Sequence, residues 1–313
     1  MFSRIKVESR EAIVSRPVIS VIIPVYNDEK RILECVDSIF NQRTSSFSLE
    51  VIVVDNGSTD NTFSVAKNEL LPKYENLRVE QCLSPGSYAA RNHGLSVCKG
   101  EYTAFTDSDC KVSTDWLEHH LSLMKKQEGD CIIAGEVNFF AEASKSTEQS
   151  ALDFESMFSM KQLENANNGK SITANFFCRK RIFDRHGLFD ASLMSGGDVE
   201  MSQRVVRNGG KVVYCADAYV LHPARNVAEL IKKRKRIVGG NWDSSLKLSR
   251  FSEKCAFLIR LFMTFLGRSK KVLKNRNLSA KRKAKLIVLL LKIMTVSYLE
   301  LFKLMMGKSA NRQ

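Results

Sequence analysis

Asp107 and Asp109 stand on either side of Ser108, directly after the apolar run YTAFT at 102–106. In an extended segment residues i and i+2 project the same way, so both carboxylates can face one ligand. Carboxylate oxygens placed like this suit a hard divalent cation, Mg2+ or Mn2+, which bridges diphosphate oxygens and spreads their charge. Alone, an Asp-x-Asp is equally an ordinary solvated turn. Other residues of the right type occur in the same kind of place. Asp55 closes the run EVIVVD beside a glycine-containing turn, where a carboxylate can accept from a base N–H or a ribose hydroxyl. Tyr26 follows the run VISVIIPV and offers a ring to cover a flat base. Asp198 follows Gly196-Gly197 at the start of a helical pattern. The glycines let backbone approach a ligand closely, and the carboxylate there is either a general base or a helix cap.

These residues need elements to hold them. Residues 18–23 form a short β-branched run that stops at Pro24, as in a strand buried on both faces. Residues 29–42 then place Ile32, Leu33, Val36, Ile39 and Phe40 at helical spacing. The scheme repeats with strands at 50–55, 77–83 and from 102. Helices are expected from about Thr62 and over 87–98, the latter ended by Gly100. Four strand–helix alternations predict a doubly wound α/β sheet, mainly parallel, with ligands at the carboxyl ends of its strands. The polar clusters Tyr26-Asn27-Asp28, Asp55-Asn56, Ser84-Pro85-Gly86 and Asp107-Ser108-Asp109 lie at those ends. Beyond residue 110 the alternation weakens. Residues 130–140 read as a strand and 149–166 as one helix. A strand and short helix follow over 171–187, then a helix bounded by Gly-Gly pairs, and a strand that runs to His222.

The chain has 313 residues and a formal charge of +14, unevenly spread. Residues 225–313 hold 23 Lys/Arg and 4 Asp/Glu, whereas the first 224 residues hold 25 basic and 30 acidic ones. A basic tail on a mildly acidic body seeks phosphate, on lipid or on nucleic acid. The tail reads as long amphipathic helices, and on a helical wheel Lys285, Lys292, Glu300 and Lys303 share one side. That pattern fits a helix lying in a lipid interface, or one packed on the body with its lysines in water; it does not fit a span. Eight cysteines without a C-x-x-C pair predict reduced thiols in a cytoplasmic protein, and the N-terminus lacks a signal-peptide pattern.

Four segments in this order, ISVIIPVYNDEKRILECVDSI, EVIVVDNGSTDNT, PGSYAARNHGLSVCKGEYTAFTDSD and GGDVEMSQRVVRNGG, resemble the family 2 glycosyltransferases. The resemblance runs from Val18 to His222. It implies a GT-A fold over residues 1–224, a nucleotide-sugar donor with UDP as the commonest nucleotide, and Mn2+ or Mg2+ as cofactor. Carried over by position, Pro24, Val25, Tyr26 and Asp55 match residues that hold the nucleoside, with Asp28 and Asn56 beside them. Arg91 matches a basic residue near the nucleotide. Asp107 matches the ribose-side and Asp109 the metal-side acid, Asp198 the catalytic base, and Arg204 the basic residue further along the same helix. His222 matches a histidine near metal and diphosphate. Two departures stand out: Asn56 replaces the usual second acid, and Gly197 the usual glutamate before Asp198, which leaves Glu200 as a rival base.

The resemblance thus implies inverting transfer of a sugar to an acceptor hydroxyl. With the basic region 225–313, the acceptor is expected to be a saccharide or a lipid-linked one at the cytoplasmic face of an anionic membrane, with no nucleic-acid partner. Two rival readings are a nucleotidyltransferase and a nucleic-acid-binding protein. The first calls for a glycine-rich phosphate loop after strand one, and PVYNDEK has no glycine. The second calls for aromatic residues interleaved along the tail, which are not there in a regular pattern.

Overall fold

The structure is a computed structural model that describes residues 16–43, 45–142, 146–193 and 195–309. Each apolar run of the first half becomes a strand because both of its faces are covered. β1 (Val18–Val25), β2 (Ser48–Asp55) and β4 (Tyr102–Thr106) are buried along nearly their whole lengths. One eight-stranded sheet runs β3-β2-β1-β4-β7-β6-β8-β5, with β3 at Leu77–Gln81, β5 at Lys111–Val112, β6 at Cys131–Phe140, β7 at Asn175–Arg179 and β8 at Lys211–Pro223. The β3-β2-β1-β4 portion is parallel, as the alternation predicts. β7 then enters antiparallel between β4 and β6, and β8 pairs parallel to β6.

Alternate side chains of β1 point to opposite layers. Ile19, Val21 and Ile23 pack on α1 (Arg31–Phe40) and α4 (Trp116–Lys125). Ile22 packs with α3 (Ser87–Val97), α7 (Arg181–His186) and α8 (Gly197–Arg207). The β6–β8 register shifts between Gly135 and Glu136. Asn175 bridges that irregularity, donating to the Glu136 and Ala218 carbonyls at 2.8 and 2.9 Å and accepting from Trp116 and His120.

Two helix expectations need correction. Residues 149–166 are two helices, α5 (Gln149–Phe158) and α6 (Gln162–Asn167), parted at Met160 with φ 47. No glycine or proline announces that break; it appears where Met160 turns to line the cleft described below. Helix α3 ends at Val97, one residue short of the expected Cys98. Gly100 is needed for close packing instead, since a Cβ there would stand 2.6 Å from the Ser20 backbone nitrogen.

The basic region folds as α9 (Val227–Asn241), a π-helical turn (Trp242–Leu246), α10 (Phe251–Lys274) and α11 (Ala280–Met305). It shares a core with α5 through Phe154, Leu230, Val272, Leu286 and Leu289. The expected charged stripe divides. Lys285 and Lys292 are exposed, whereas Glu300 is buried and holds Lys303 at 3.4 Å. The face turned away from the body is apolar instead, with Ile259, Phe262 and Met263 of α10 and Leu299 and Phe302 of α11 exposed. Among the described residues no helix is long and apolar enough to cross a membrane.

Candidate active site

The parallel strands end on one side of the sheet, and their polar ends open on a cleft of about 920 Å³. Beyond β1, the chain turns at Asn27, whose φ of 52 is a conformation asparagine tolerates. Its side chain accepts from the Thr59 N–H at 2.8 Å, tying the two loops together. Tyr26, just before the turn, stands 58% exposed on the cleft wall. Asp28 is buried on the same wall, takes a hydrogen bond from Ser108 at 2.7 Å and pairs with Arg31 at 2.6 Å.

Asp107 and Asp109 both reach the cleft from the end of β4. They have different partners. Asp107 is held by the buried Arg91 at 2.6 Å. Asp109 faces His222 at 3.6 Å, with Arg31 at 3.9 Å. His222 is buried at the end of β8, and its Nδ1 lies 2.8 Å from the Pro223 carbonyl. A carbonyl only accepts, so Nδ1 carries the proton and Nε2 presents its lone pair toward Asp109. Burial pushes the Asp109 carboxyl above the usual carboxylate range. A half-buried carboxylate beside an imidazole lone pair fits Mn2+ or Mg2+, one oxygen and one nitrogen ligand on a face open to donor oxygens. Cys110 lies within the same cluster. Burial, and then the nearby Asp109 charge, raise its thiol well above the ordinary value, and its soft sulfur suits Mn2+ or Mg2+ less well than the Asp109 oxygen does.

Asp198 lies across the same cleft. Gly196, at φ 83, caps α8, and Asp198 sits inside the first turn, so it is not the helix cap. Its Oδ1 accepts from the Tyr88 hydroxyl at 3.1 Å and the Val199 N–H at 2.9 Å, and its Oδ2 from the Thr173 N–H at 3.2 Å. Desolvation raises the Tyr88 phenol to about 12, with the Asp198 charge adding to it, so the hydroxyl remains a donor. Gly197 is required here: a Cβ would stand 2.8 Å from the Tyr88 ring.

Several sequence candidates do not line the cleft. Glu200 forms an ion pair with Arg204 at 3.1 Å, and Arg204 donates to the Leu188 carbonyl, so both belong to the outer side of α8. Val25 is buried within β1. Asn56 donates to the Cys82 and Ser84 carbonyls and accepts from Gly86, which fixes the loop after β3. Asp55 is fully buried; its Oδ2 takes the Gly57 and Ser58 N–H groups, and its Oδ1 has no partner. Pro24, Tyr26, Asp28, Arg91, Asp107, Asp109, Asp198 and His222 do meet at the cleft. Sequence reasoning missed Tyr88 and Arg31. It also missed the cations that the C-terminal helices bring in: Arg225, Lys233 and Arg236 around α9, Arg268 and Lys271 on α10.

The family description "Glycosyl transferase family 2" matches residues 20–187, more than half of the chain. The protein is a family 2 glycosyltransferase. It is 34% identical to glycosyltransferase AglE of Haloferax volcanii over 79% of this chain and 80% of that one. It is 26% identical to a Methanococcus voltae protein over 62% of this chain and 63% of that one. That relative is named a dolichyl N-acetyl-alpha-D-glucosaminyl phosphate 3-beta-D-2,3-diacetamido-2,3-dideoxy-beta-D-glucuronosyltransferase. Among solved structures, residues 1–349 of S. aureus TarS superpose with a TM-score of 0.53, at 19% identity, over 93% of this chain and 92% of that one. The same TarS fragment in complex with UDP gives 0.51. This family 2 transferase therefore has the GT-A fold that its motifs imply, and the nucleotidyltransferase and nucleic-acid-binding readings fall away.

Proposed function

We propose that this family 2 enzyme is an inverting, metal-dependent transferase that moves one sugar from a nucleotide-sugar, a UDP-sugar in the first instance, to an acceptor hydroxyl at an anionic membrane surface. One observation carries the reading: Asp109 and Asp198, far apart in sequence, face a single cleft beside the exposed ring of Tyr26. In this scheme Tyr26 covers the base, while Asp55, buried behind the cleft, fixes the Gly57–Ser58 turn through its Oδ2. Arg91 keeps the Asp107 carboxylate aimed at the ribose. Asp109 and His222 hold the divalent cation, which when bound stabilises charge on the departing diphosphate. Asp198 removes the proton from the acceptor hydroxyl as that oxygen attacks the anomeric carbon; the bond to the diphosphate oxygen breaks on the opposite face. Tyr88, Val199 and Thr173 keep the carboxylate from turning away.

The membrane part rests on α10 and α11. Their outward apolar face includes a groove of about 690 Å³ lined by Phe251, Leu258, Phe262, Tyr298, Phe302 and Met305. An apolar face on a region carrying 23 Lys/Arg matches an anionic bilayer in both of its layers. Eight free cysteines agree with the cytoplasmic side. A thermal-shift panel of nucleotide-sugars with and without Mn2+, followed by transfer assays, tests the site. UDP-sugars are expected to stabilise the protein in a Mn2+-dependent way, and Asp198→Asn to abolish transfer while keeping donor binding. Full activity in both Asp109→Ala and Asp198→Asn would refute the assignment.

A further inference from the structure

The turn that carries the two aspartates also carries a cysteine. The Cys110 N–H donates to the Asp107 carbonyl at 3.1 Å, which closes a β-turn just beyond β4. In a straight strand consecutive side chains project to opposite faces. Here the turn brings two consecutive side chains together, and the Cys110 Sγ stands 3.8 Å from Asp109 Oδ1. His222 Nε2, arriving from the end of β8, stands 3.6 Å from the same oxygen. One sulfur, one nitrogen and one oxygen thus all lie within 4.8 Å of one another. Asp109 and His222 line the cleft, and Cys110 is fully buried beside them.

Those separations are close to what one small metal ion demands. Zinc takes sulfur at about 2.3 Å and nitrogen or oxygen at about 2.0–2.2 Å, so a tetrahedral site holds its ligand atoms about 3.3–3.6 Å apart. Asp109 Oδ1 meets that spacing with both neighbours to within a few tenths of an ångström. The sulfur and the nitrogen are at most 4.8 Å apart, a gap that a side-chain torsion closes as a cation draws its ligands in. His222 is already aimed, because its Nδ1–H donates to the Pro223 carbonyl at 2.8 Å, the outer contact by which metal-bound histidines fix their rings. The ligand types point the same way. Mg2+ and Mn2+ favour oxygen, whereas zinc accepts thiolate, imidazole and carboxylate together, and such mixed sites bind it more tightly than Mn2+.

We propose that Asp109, Cys110 and His222 form a zinc site that overlaps the position of the transfer cation, so that zinc displaces Mn2+ and arrests the enzyme. The site stands on the spacing of three side chains; its effect on transfer rests on the function proposed above. On binding, the Cys110 S–H bond breaks, its electron pair goes to the zinc–sulfur bond and its proton goes to solvent. Three protein ligands leave a four-coordinate zinc with one open position. A diphosphate bridged through two of its oxygens needs two. Six-coordinate Mn2+, held by Asp109 and His222 alone, keeps them free. Cys110 is thus the residue that lets one pocket tell a thiophilic cation from an oxygen-seeking one.

Cobalt(II) is the probe, because it takes zinc's ligands and a thiolate bound to it gives a charge-transfer absorption in the near ultraviolet. Titration of the full chain without nucleotide is expected to develop that band, and added zinc to bleach it. Cys110→Ser should lose the band and bind zinc about tenfold or more weakly by calorimetry, with Mn2+ affinity in the presence of UDP kept within about twofold. His222→Ala should lose the band too, which ties the sulfur to the Asp109–His222 pair and not to another cysteine. In the wild type, zinc should release bound Mn2+, followed by electron paramagnetic resonance; this measurement needs no variant to fold. Absence of the band in the wild type, its survival in Cys110→Ser, or zinc and Mn2+ bound side by side overturns the proposal. A cobalt band in a protein that binds no Mn2+ with UDP is a distinct result: it supports the zinc site and counts against the proposed transfer cation.

Discussion

The Tyr88 hydroxyl donates to Asp198 Oδ1 at 3.1 Å, joining α3 to the first turn of α8. This contact fixes where the candidate base points. Tyr88→Phe removes it without changing the ring that packs on Phe189. The expected outcome is a fall in kcat of roughly tenfold, the worth of one hydrogen bond to a charged group, with donor KM nearly unchanged. Gly197→Ala should do at least as much damage, because its methyl would meet the Tyr88 ring. Steady-state kinetics of both variants decide the matter; unchanged kcat in both removes Tyr88 from the positioning role.

Asp109→Asn and His222→Ala remove the two groups expected to hold the divalent cation. Each should lower transfer by about a hundredfold or more and weaken Mn2+ binding in the presence of UDP. Chelation of the wild type should reproduce the loss, and added Mn2+ should reverse it in the wild type only. Mn2+ titration followed by electron paramagnetic resonance is the direct measurement.

The buried His120 provides a pH dependence. Its Nε2 lies 2.9 Å from Asn175 Oδ1, its Nδ1 has no partner, and burial lowers its pKa to about 4. The folded state thus keeps the ring neutral while the unfolded chain takes up a proton near the ordinary value. Stability from this group is complete above that value, falls as pH drops toward about 4, and is level below it. The slope is about 1.4 kcal/mol per pH unit inside the window. Denaturant unfolding at pH 7.5 and 5.0 should show a smaller acid loss for His120→Gln than for the wild type. Identical losses would mean that His120 contributes nothing to acid lability.

The outward face of α10 and α11 yields a prediction about lipid. Phe262→Glu, which places a charge in the middle of the apolar groove, should reduce flotation with anionic vesicles by about tenfold or more. Raised salt should weaken the wild type as well, since the lysines act through the surface potential. Soluble behaviour of the wild type with anionic vesicles would dismiss the interfacial role.

The half of the molecule built from continuous apolar runs was legible because a strand covered on both faces must be apolar throughout. That is why β1, β2 and β4, and the polar residues at their ends, could be read directly. The Met160 break was not legible: φ 47 at a methionine is imposed by packing, and no residue type marks it. The fates of Asn56 and Arg204 were equally hidden. Asn56 looked like a ligand contact by its place after β2, yet its amide bonds three backbone groups of the neighbouring loop. Arg204 follows Asp198 on the same helix, but six residues at 100° per residue turn it to the other side, onto Glu200 and Leu188.

By itself the sequence determined the α/β class, the rim of Asp107, Asp109 and Asp198, and the concentration of positive charge after residue 224. All three follow from local chemistry: burial selects apolar runs, and turns at strand ends select the polar residues between them. Only the tertiary structure decided that Tyr88 would reach Asp198 and that His222 would present Nε2 to Asp109. It alone turned Arg236 and Arg268 into the cleft and left Phe262 and Phe302 facing out. A helix with apolar residues on two sides carries no local sign of which side the rest of the chain will cover. That choice is made by packing between segments far apart in sequence.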